Sequence, residues 1–528
     1  MKQFSSIFND VLGPVMSGPS SSHTAASVRI GYMMRQLLGE KPVHFTVCFD
    51  PSGALAPCYR EQWADRGLCG GLLGMLPQDP RLSQAFSLAE ENGLTLAFQV
   101  EEFENHHPNT YRMQLTGISG KTIDATALST GGGMIVFTKI QNEDVHVTGG
   151  FYETFLWGSC PSESQVLSIR HFLEEKMPNA QIFSCFHGQQ ARGFWHIRTE
   201  QPLDEEALHD CTIRFHIDQI CRLTPILPIT SQLVPSVPFH DTREMLQIAK
   251  RENKALWEMA LLYESVRGNC SREKVLKQME ELVETMEKAL SGGLCGTSYE
   301  NRILGCQSRY LKQEEIRKKL LGDSLTNDII LCVSALMEVK SAMGIFVAAP
   351  TAGSCGTLAG TVLAAARCHG FTKEQVVKAM LSAGMIGVFL SEKATFAAEV
   401  AGCQAECGSA SGMTAAALAQ LMGASCEEAC AAASMALQNV FGLTCDPVAM
   451  AVEVPCLGKN ILAGVNALTS ANMAMAGFDP VVPLDQTIEA FNEAGRLLPA
   501  ALRCTGKAGL TCTAASKEIE KKLSLSKR

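Results

Sequence analysis

Alternating apolar and polar positions predict three β-strands in the N-terminal part of the chain. The segments 43–49, 94–100 and 134–140 follow this period of two and are rich in β-branched and aromatic residues, which favour strands. A helix is predicted from Ala25 to Leu38, because the serines just before it can cap its first turn. This mixture of strands and helix predicts an α/β domain over residues 1–144.

The pattern between residues 145 and 222 predicts a smaller unit with the element order β-α-β-β-α-β. Its first helix is predicted at 162–176, and its later strands at 181–186, 193–199 and 212–217. This order is typical of a ferredoxin-like module. The repeated prolines that follow, between residues 223 and 240, predict a linker.

Helical periodicity dominates the pattern after the linker. Charged residues lie on one side of the segments 244–265 and 271–290, which predicts a helix over each of them. Beyond Asp328 the chain is rich in alanine, glycine and methionine, and small residues at helical spacing allow helices to pack closely. Residues 241–528 are therefore predicted to form a mostly helical domain, and the whole chain is predicted to be an α+β protein.

The composition narrows the class of protein and its partners. Apolar residues make up 46% of the 528 residues and charged residues 19%, which is typical of a globular protein with a large core. The formal net charge is -9 and no block of basic residues occurs, so nucleic acid is not expected as a partner. The apolar stretches 344–368 and 431–454 are interrupted by glycine and proline, so they are interpreted as buried core rather than as membrane spans.

The 21 cysteines are interpreted as reduced thiols of a cytoplasmic protein. Their number is odd and their spacing is irregular, and the first residues lack the charged region and apolar run of a signal peptide. Cys48, Cys185, Cys332 and Cys426 are interpreted as small buried residues.

Cys403, Cys445 and Cys456 differ from the other cysteines in their neighbours. Each lies beside glycine, proline or an acidic residue rather than within an apolar helical stripe. Three thiolates can hold three irons of a cubane cluster and leave the fourth iron free to bind a substrate oxygen. The spacing alone is equally compatible with other metals bound by thiolates.

Three segments rich in hydroxyl groups and glycine could bind an anionic group of a ligand. They are 17–24, which includes a helix start, and the predicted loops 349–357 and 408–412. In the first segment His23 is a candidate general base, because the pKa of imidazole lies near neutrality. Ordinary helix caps or tight connections would explain each segment taken singly. The candidate substrate-binding residues, including those of a turn at 107–110, are Ser20, Ser21, Ser22, Thr24, His107, Asn109, Thr351, Gly353 and Ser409.

Taken in chain order, these motifs resemble those of the iron–sulfur-dependent L-serine dehydratases. The resemblance covers nearly the whole chain, and it is to the two-subunit form, with its β and α parts fused across the proline-rich linker. The motifs that carry it are Gly18-Pro19-Ser20-Ser21-Ser22-His23-Thr24, His107-Pro108-Asn109-Thr110, Ala349-Pro350-Thr351-Ala352-Gly353-Ser354, Gly402-Cys403-Gln404-Ala405-Glu406, Gly408-Ser409-Ala410-Ser411-Gly412-Met413, Gly442-Leu443-Thr444-Cys445-Asp446-Pro447 and Val454-Pro455-Cys456.

The resemblance implies a [4Fe-4S] cluster held by Cys403, Cys445 and Cys456. It also implies a lyase that converts L-serine to pyruvate and ammonia, with His23 as the acid–base residue and a small amino acid as the substrate. It further implies a homodimer in the cytoplasm that takes part in amino-acid degradation and gluconeogenesis. The module at 145–222 resembles the regulatory ACT fold in the order of its elements.

Several positions differ from the motifs of this family. Its members carry a histidine in a Gly-His-Gly-Thr-Asp stretch at the place where this chain has Gln62. Arg60 could recognise a second substrate carboxylate or be an ordinary surface residue. The bulky segment Phe155-Leu156-Trp157-Gly158 stands where the ACT fold has a ligand-binding turn of small residues. Cys504 and Cys512 could cap the fourth iron or be unliganded thiols.

Alternatives remain open at the level of the sequence. The same elimination could act on another small hydroxy or sulfhydryl amino acid. A lyase with pyridoxal phosphate would need a Schiff-base lysine, for which Lys393 is a candidate, and a phosphate loop, for which 353–356 is a candidate. A non-catalytic sensor that carries a cluster would be consistent with the missing histidine.

Overall fold

The computed structural model describes residues 3–104, 107–203, 205–299, 302–321 and 324–526. Within these ranges the N-terminal part contains most of the β-structure, and the part after the proline-rich segment is mainly helical. This distribution confirms the predicted α+β class. The proposed domain limits at residues 144, 222 and 240 stay predictions.

The strands of the described residues form a six-stranded sheet, a four-stranded sheet and a two-stranded sheet. In chain order they are β1 (Val15–Met16), β2 (Pro42–Phe49), β3 (Thr95–Val100), β4 (Thr110–Gly117), β5 (Thr122–Gly131), β6 (Met134–Ile140), β7 (Glu143–Val147), β8 (Tyr152–Ser159), β9 (Gln181–His187), β10 (Arg192–Thr199), β11 (Ile217–Leu223) and β12 (Phe346–Val347).

The helices of the described residues follow the same numbering. They are α1 (Ala26–Leu38), α2 (Ala64–Leu72), α3 (Ala85–Glu91), α4 (Glu163–Lys176), α5 (Glu205–Phe215), α6 (Thr242–Glu252), α7 (Leu256–Arg267), α8 (Arg272–Cys295), α9 (Glu314–Arg317), α10 (Ser324–Ser341), α11 (Cys355–His369), α12 (Lys373–Lys393), α13 (Ala398–Ala401), α14 (Ser409–Leu421), α15 (Cys426–Gln438), α16 (Cys456–Met475), α17 (Leu484–Leu497) and α18 (Ala514–Ser526).

The six-stranded sheet has the order β3-β2-β4-β5-β6-β7, and only the β2–β3 pair is parallel. Helices α1 and α2 pack against each other and share a buried apolar core with the sheet. A Cβ on Gly71 would lie 2.2 Å from the Val28 carbonyl oxygen, so the missing side chain allows the two helices to approach closely. The predicted strands at 43–49, 94–100 and 134–140 and the predicted helix at 25–38 are confirmed.

The four-stranded sheet has the order β11-β8-β10-β9, and all its neighbours are antiparallel. Helices α4 and α5 pack on it through a small apolar core, which gives the ferredoxin-like order. The strand predicted at 212–217 is wrong: residues 205–215 are helical and the last strand starts at Ile217. Leu208 and Cys211 lie three residues apart and both face the core, so packing overrides the strand propensity of Thr212 and Ile213.

The segment Phe155-Leu156-Trp157-Gly158 lies inside β8 and not in a turn. The three large side chains of this segment are buried, and Trp157 pairs with Phe194 on β10. This part of β8 therefore contributes to the cores on both sides of the sheet.

The proline-rich segment between β11 and α6 forms neither helix nor strand, but it is packed. Ile229 and Phe239 are buried in the core of the helical region. The side chain of Asn9 accepts a hydrogen bond from the Ile229 amide at 2.9 Å and donates one to its carbonyl at 2.7 Å. The predicted linker is therefore attached to the N-terminal residues of the chain.

The N-terminal residues also enter the helical region. Strand β1 pairs antiparallel with β12, with Val15 opposite Val347. Ile7 and Val11 lie where Gly384 and Gly387 leave space on α12. These contacts hold residues 17–24 against the start of α11, where two of the predicted hydroxyl-rich segments meet.

The helical region differs from the prediction at its first helix. The single helix predicted at 244–265 is wrong, because Asn253 adopts the left-handed conformation (φ 50°) and ends α6 before α7 begins. The helix predicted at 271–290 is confirmed and extends to Cys295. Among the described helices, α12 is long and apolar enough to cross a membrane, and 78% of the relevant window is buried inside the protein.

Two adjacent glycines of α8 should respond in opposite ways to alanine. A Cβ on Gly293 would lie 2.3 Å from the Ala335 carbonyl oxygen of α10, whereas one on Gly292 would meet nothing within 4 Å. We expect Gly293→Ala to lower the free energy of unfolding by about 2 kcal/mol through overpacking, and Gly292→Ala to raise it by up to about 1 kcal/mol through helix propensity. Urea unfolding of both variants tests this, and equal shifts would contradict the helix contact.

Candidate functional site

The first hydroxyl-rich segment forms one turn of π-helix, Ser21–Ala25, which leads directly into α1. Ser20 caps this turn, because its hydroxyl oxygen accepts a hydrogen bond from the His23 amide at 3.3 Å. The Ser21 hydroxyl oxygen accepts one from the Ala352 amide at 3.2 Å. Since Ala352 belongs to the segment 349–357, this hydrogen bond joins the first two hydroxyl-rich segments.

The second segment surrounds the half-buried carboxyl group of Glu406. The Thr351 hydroxyl donates a hydrogen bond to Glu406 Oε1 at 2.6 Å. A Cβ on Gly353 would lie 2.6 Å from the same oxygen, so glycine allows the carboxylate to approach the backbone. Burial raises the pKa of Glu406 to about 7. This side chain can therefore hold or release a proton near neutral pH.

Asn460 connects the second segment to Cys456. Its side-chain nitrogen donates to the Gly353 carbonyl at 2.7 Å and to the Cys456 carbonyl at 2.9 Å. Its side-chain oxygen accepts from the Thr357 hydroxyl at 2.9 Å. The sequence prediction missed Asn460, although its position one helical turn after a candidate ligand was a usable signal.

His23 is fully buried between polar partners on both ring nitrogens. Its Nδ1 lies 3.2 Å from the Ser20 hydroxyl, 3.0 Å from the Ser22 hydroxyl and 3.6 Å from Glu399 Oε1. Its Nε2 lies 3.4 Å from Cys58 Sγ. Burial lowers the pKa of His23, and the charge of Glu399 opposes this effect. A neutral imidazole is able to accept a proton.

The three candidate cysteine ligands are all buried, and they come from different local structures. Cys403 follows α13 and Gly402, Cys445 lies in the loop after α15, and Cys456 is the first residue of α16. The thiols of Cys403 and Cys445 lie in one buried cluster, and the neighbouring Cys403 thiol raises the pKa of Cys445. Burial, followed by the nearby Cys403, raises the pKa of Cys456.

The chemistry of these donors fits a thiolate-bound metal or cluster. Buried thiols are costly to ionise, and a metal that replaces their protons removes this cost. The ammonium of Lys459 lies beside them, donates to the Thr444 carbonyl and is 3.2 Å from Asp446 Oδ1. A half-buried cation there can balance the negative charge of bound thiolates.

Cys504 is a further buried thiol beside this set. Its backbone amide donates to the Cys445 carbonyl at 2.8 Å, and its thiol shares a buried cluster with that of Cys445. Cys512, the other tail cysteine, is exposed. Of the two, only Cys504 therefore lies at the candidate metal centre.

Cys58 also belongs to this region, and the sequence prediction missed it. It shares a buried cluster with Cys403, Cys445 and Cys504. Gln62 lies one helical turn further along, and its side-chain nitrogen is 3.9 Å from Cys504 Sγ. The position where the resemblance predicts a histidine therefore faces the thiols.

Two predicted residues have buried polar atoms without a partner among the described residues. They are Asn109, of which neither side-chain amide atom is bonded, and Ser409, of which the hydroxyl is not bonded. Such groups suit contact with a ligand. His107 lies two residues before Asn109, and its Nδ1 accepts a hydrogen bond from the backbone amide of Asn109 at 3.2 Å. Thr24 has a positioning contact instead, because its hydroxyl donates to the Gln62 carbonyl at 2.8 Å.

The third predicted loop, 408–412, is wrong in its conformation. A π-helical turn ends at Gly408, and Ser409 begins α14. Gly412 serves helix packing, because a Cβ there would lie 2.9 Å from Leu437 Cγ of α15. A glycine that allows two helices to pack gives the same local pattern as a glycine in a loop.

The residues required by the rival predictions lie in other surroundings. The Lys393 ammonium is 3.1 Å from Asp485 and 3.2 Å from Glu489. Burial acts to lower its pKa, but the hydrogen bonds to these carboxylates outweigh burial and raise it. A Schiff-base lysine needs the opposite shift. Arg60 is exposed, as expected of a surface residue.

A second group of potential metal ligands lies on other elements. The ligand atoms of Glu143, Cys185 and His187 are within 4.8 Å of one another, at the junction of β7 and β9. Cys185 is exposed and Cys48 is only half-buried, so their predicted burial is wrong. The burial predicted for Cys332 and Cys426 is confirmed.

Comparison with known proteins extends over both parts of the chain. The family model described as serine dehydratase alpha chain matches residues 241–511. The chain is 35% identical to a probable L-serine dehydratase alpha chain of Bacillus subtilis (strain 168), over 54% of this chain and 95% of that protein. It is 34% identical to the L-serine dehydratase alpha chain of Peptoniphilus asaccharolyticus, over 53% of this chain and 96% of that protein. It is also 37% identical to a probable L-serine dehydratase beta chain of Bacillus subtilis (strain 168), over 28% of this chain and 65% of that protein.

Proposed function

Because the chain belongs to the serine dehydratase alpha-chain family and has β and α parts fused in one polypeptide, we propose that it is an L-serine ammonia-lyase. The reaction removes water from L-serine, and the product hydrolyses to pyruvate and ammonia. The observation that carries this proposal is the convergence of buried thiols, hydroxyl groups and His23 from both parts of the chain. A homodimer and a cytoplasmic location stay predictions.

The residues assigned to the cofactor are Cys403, Cys445 and Cys456. They would hold a [4Fe-4S] cluster, which supplies a Lewis-acidic iron for the oxygen atoms of the substrate. Lys459 supports this assignment, because its ammonium lies beside the thiols and can balance their charge. Asn460 fixes the backbone of Cys456 relative to the hydroxyl-rich segment around Thr351.

His23 is the proposed general base for the α-proton. The Cys58 thiol donates to the Ala54 carbonyl at 3.0 Å, so Cys58 Sγ is left to accept a hydrogen bond from His23 Nε2. In this tautomer Nδ1 carries the free lone pair, and it faces Ser20, Ser22 and Glu399. The proton of the substrate would therefore move to Nδ1.

The hydroxyl groups and the remaining polar atoms are assigned to the substrate. Ser21 joins the first hydroxyl-rich segment to the segment of Thr351 and Gly353. Asn109 and Ser409 each have buried polar atoms without a partner among the described residues. Burial raises the pKa of Glu406 to about 7, so it can hold a proton near neutral pH and is a candidate donor to the leaving hydroxyl group.

Anaerobic reconstitution with iron and sulfide, followed by a keto-acid and ammonia assay, tests this function. L-serine, L-threonine and L-cysteine are supplied separately, and we expect equal amounts of pyruvate and ammonia from L-serine. Turnover of L-cysteine but not L-serine would assign the elimination to a sulfhydryl amino acid. Full cluster content without keto acid from any of the three would replace the lyase by a sensor.

A further inference from the structure

Glu399 is a buried carboxylate without a cation. Its side chain is 4% exposed, and its Oε1 accepts a hydrogen bond from the Ser22 hydroxyl at 2.8 Å. Among the described residues, no lysine or arginine nitrogen lies within 4.0 Å of it, and its one ion-pair partner is His23 at 3.6 Å. Since burial disfavours the protonated form of His23, this partner supplies little positive charge.

An ionised group in this position requires compensation. Transfer of a carboxylate from water to a protein interior is costly unless a counter-charge and hydrogen bonds replace its hydration. One serine hydroxyl replaces only a small part of it. A ligand that brings its own positive charge would complete the site.

The carboxylate also lies where the candidate site residues meet. Its charge contributes to the pKa shifts of His23, Cys58, His107 and Glu406, which come from four different segments of the chain. It sits at the start of α13, four residues before Cys403. The negative charge is therefore next to both the proposed base and the proposed metal ligands.

Glu406, a half-buried carboxyl group nearby, has different surroundings. The positive charges of Lys340 and Lys459 both act on it and favour its ionised form. It also accepts a short hydrogen bond from the Thr351 hydroxyl. The two carboxyl groups therefore differ in their surroundings: the charges of two lysines act on Glu406, whereas the one ion-pair partner of Glu399 among the described residues is His23.

We propose that Glu399 binds the α-ammonium group of the substrate. The inference rests on the proposed function, and it adds the residue that selects amino acids over hydroxy acids of the same shape. A substrate nitrogen bound at Glu399 Oε1 would place the neighbouring α-carbon beside His23 Nδ1, which lies 3.6 Å from that oxygen. Ser22 positions the carboxylate for this contact through its hydroxyl hydrogen bond.

The test compares two ligands that do not react. L-alanine and L-lactate have the same skeleton, and they differ only in an ammonium or a hydroxyl group at the α-carbon. Isothermal titration calorimetry of the reconstituted holoenzyme should show that the wild-type protein binds L-alanine more tightly than L-lactate. Glu399→Gln keeps the shape of the side chain and removes its charge. We expect this variant to bind L-alanine about 30-fold more weakly, which is the scale of a hydrogen bond to a charged group. L-lactate should bind Glu399→Gln as well as wild type or better.

Two further variants keep the result decisive. Glu399→Asp retains the charge, so it should preserve the preference for L-alanine even if its absolute affinity falls. Glu493→Gln changes an exposed carboxylate of α17 and should behave as wild type. Iron content and the visible absorbance of each variant report whether the cluster site is intact. If Glu399→Gln with wild-type iron content keeps the wild-type preference, or if Glu399→Asp loses it, the ammonium site is wrong.

The two proposals can fail separately. If wild type releases pyruvate from L-serine while Glu399→Gln keeps its preference for L-alanine, the lyase stands and the assignment of Glu399 falls. If wild type prefers L-alanine through Glu399 but releases no keto acid, the ammonium site stands and the lyase falls.

Discussion

Replacement of Cys445 by serine is expected to remove both the iron–sulfur absorbance and the turnover of the protein. The Cys445 thiol lies beside that of Cys403, another proposed ligand, and beside that of Cys504. A serine hydroxyl is a harder and more basic ligand than a thiol and is a poor substitute at an iron–sulfur site. We expect iron and acid-labile sulfide to fall in parallel and turnover to drop to less than about one hundredth.

Cys332→Ser is the matched control for this variant. Cys332 is also a buried cysteine of the helical region, but it lies on α10 and packs in the general core. The Cys332→Ser variant should retain the wild-type content of iron and sulfide. If Cys445→Ser retained the same content and full turnover, the assignment of Cys445 as a ligand would be refuted.

The replacement of His23 by alanine should separate catalysis from cofactor binding. We expect wild-type iron content and a kcat lower by about 100-fold or more, because the proposed base for the α-proton is lost. Burial lowers the pKa of His23 from its ordinary value of 6.5, so the imidazole stays neutral through neutral pH. The acid limb of the kcat/KM profile of wild type should therefore lie below pH 6.5.

His44→Ala provides the control for the histidine variant. His44 is exposed on β2, and its loss should leave kcat and its pH profile unchanged. Near-normal kcat in His23→Ala would dismiss His23 as the base. An acid limb that remains in His23→Ala at the same pH would assign it to another group.

Local sequence patterns were sufficient to predict most strands and helices of the N-terminal part. The strands at 43–49 and 134–140 alternate because one face of the sheet is buried under α1 and α2, so the period of two is visible in the sequence. The end of α5 could not be predicted in this way, because Thr212 and Ile213 favour strands and only the packing of Leu208 and Cys211 makes the segment helical. Asn253 likewise ends α6 by its backbone conformation within a continuous helical pattern.

The candidate site was predictable where its chemistry is local. Cys403 and the serines before His23 stand in unusual neighbourhoods, and these can be recognised in the sequence. Glu399 lies in a short helix and Cys58 in a turn, both without a distinctive local motif, and they become site residues only through contacts with distant segments. Ser22 and Glu399, for example, are 377 residues apart in the chain. The closeness of such pairs is a property of the fold and leaves no mark on local sequence.

We expect Cys403, Cys445 and Cys456 to hold a cluster with one iron open to the substrate. Mössbauer spectroscopy of the iron-enriched holoenzyme, frozen with and without L-serine, tests it most directly. We expect the signal of one iron to differ from those of the other three and to shift when L-serine is added, while the other three stay unchanged. Four equivalent irons, or a spectrum that L-serine leaves unaltered under conditions of turnover, would contradict the claim.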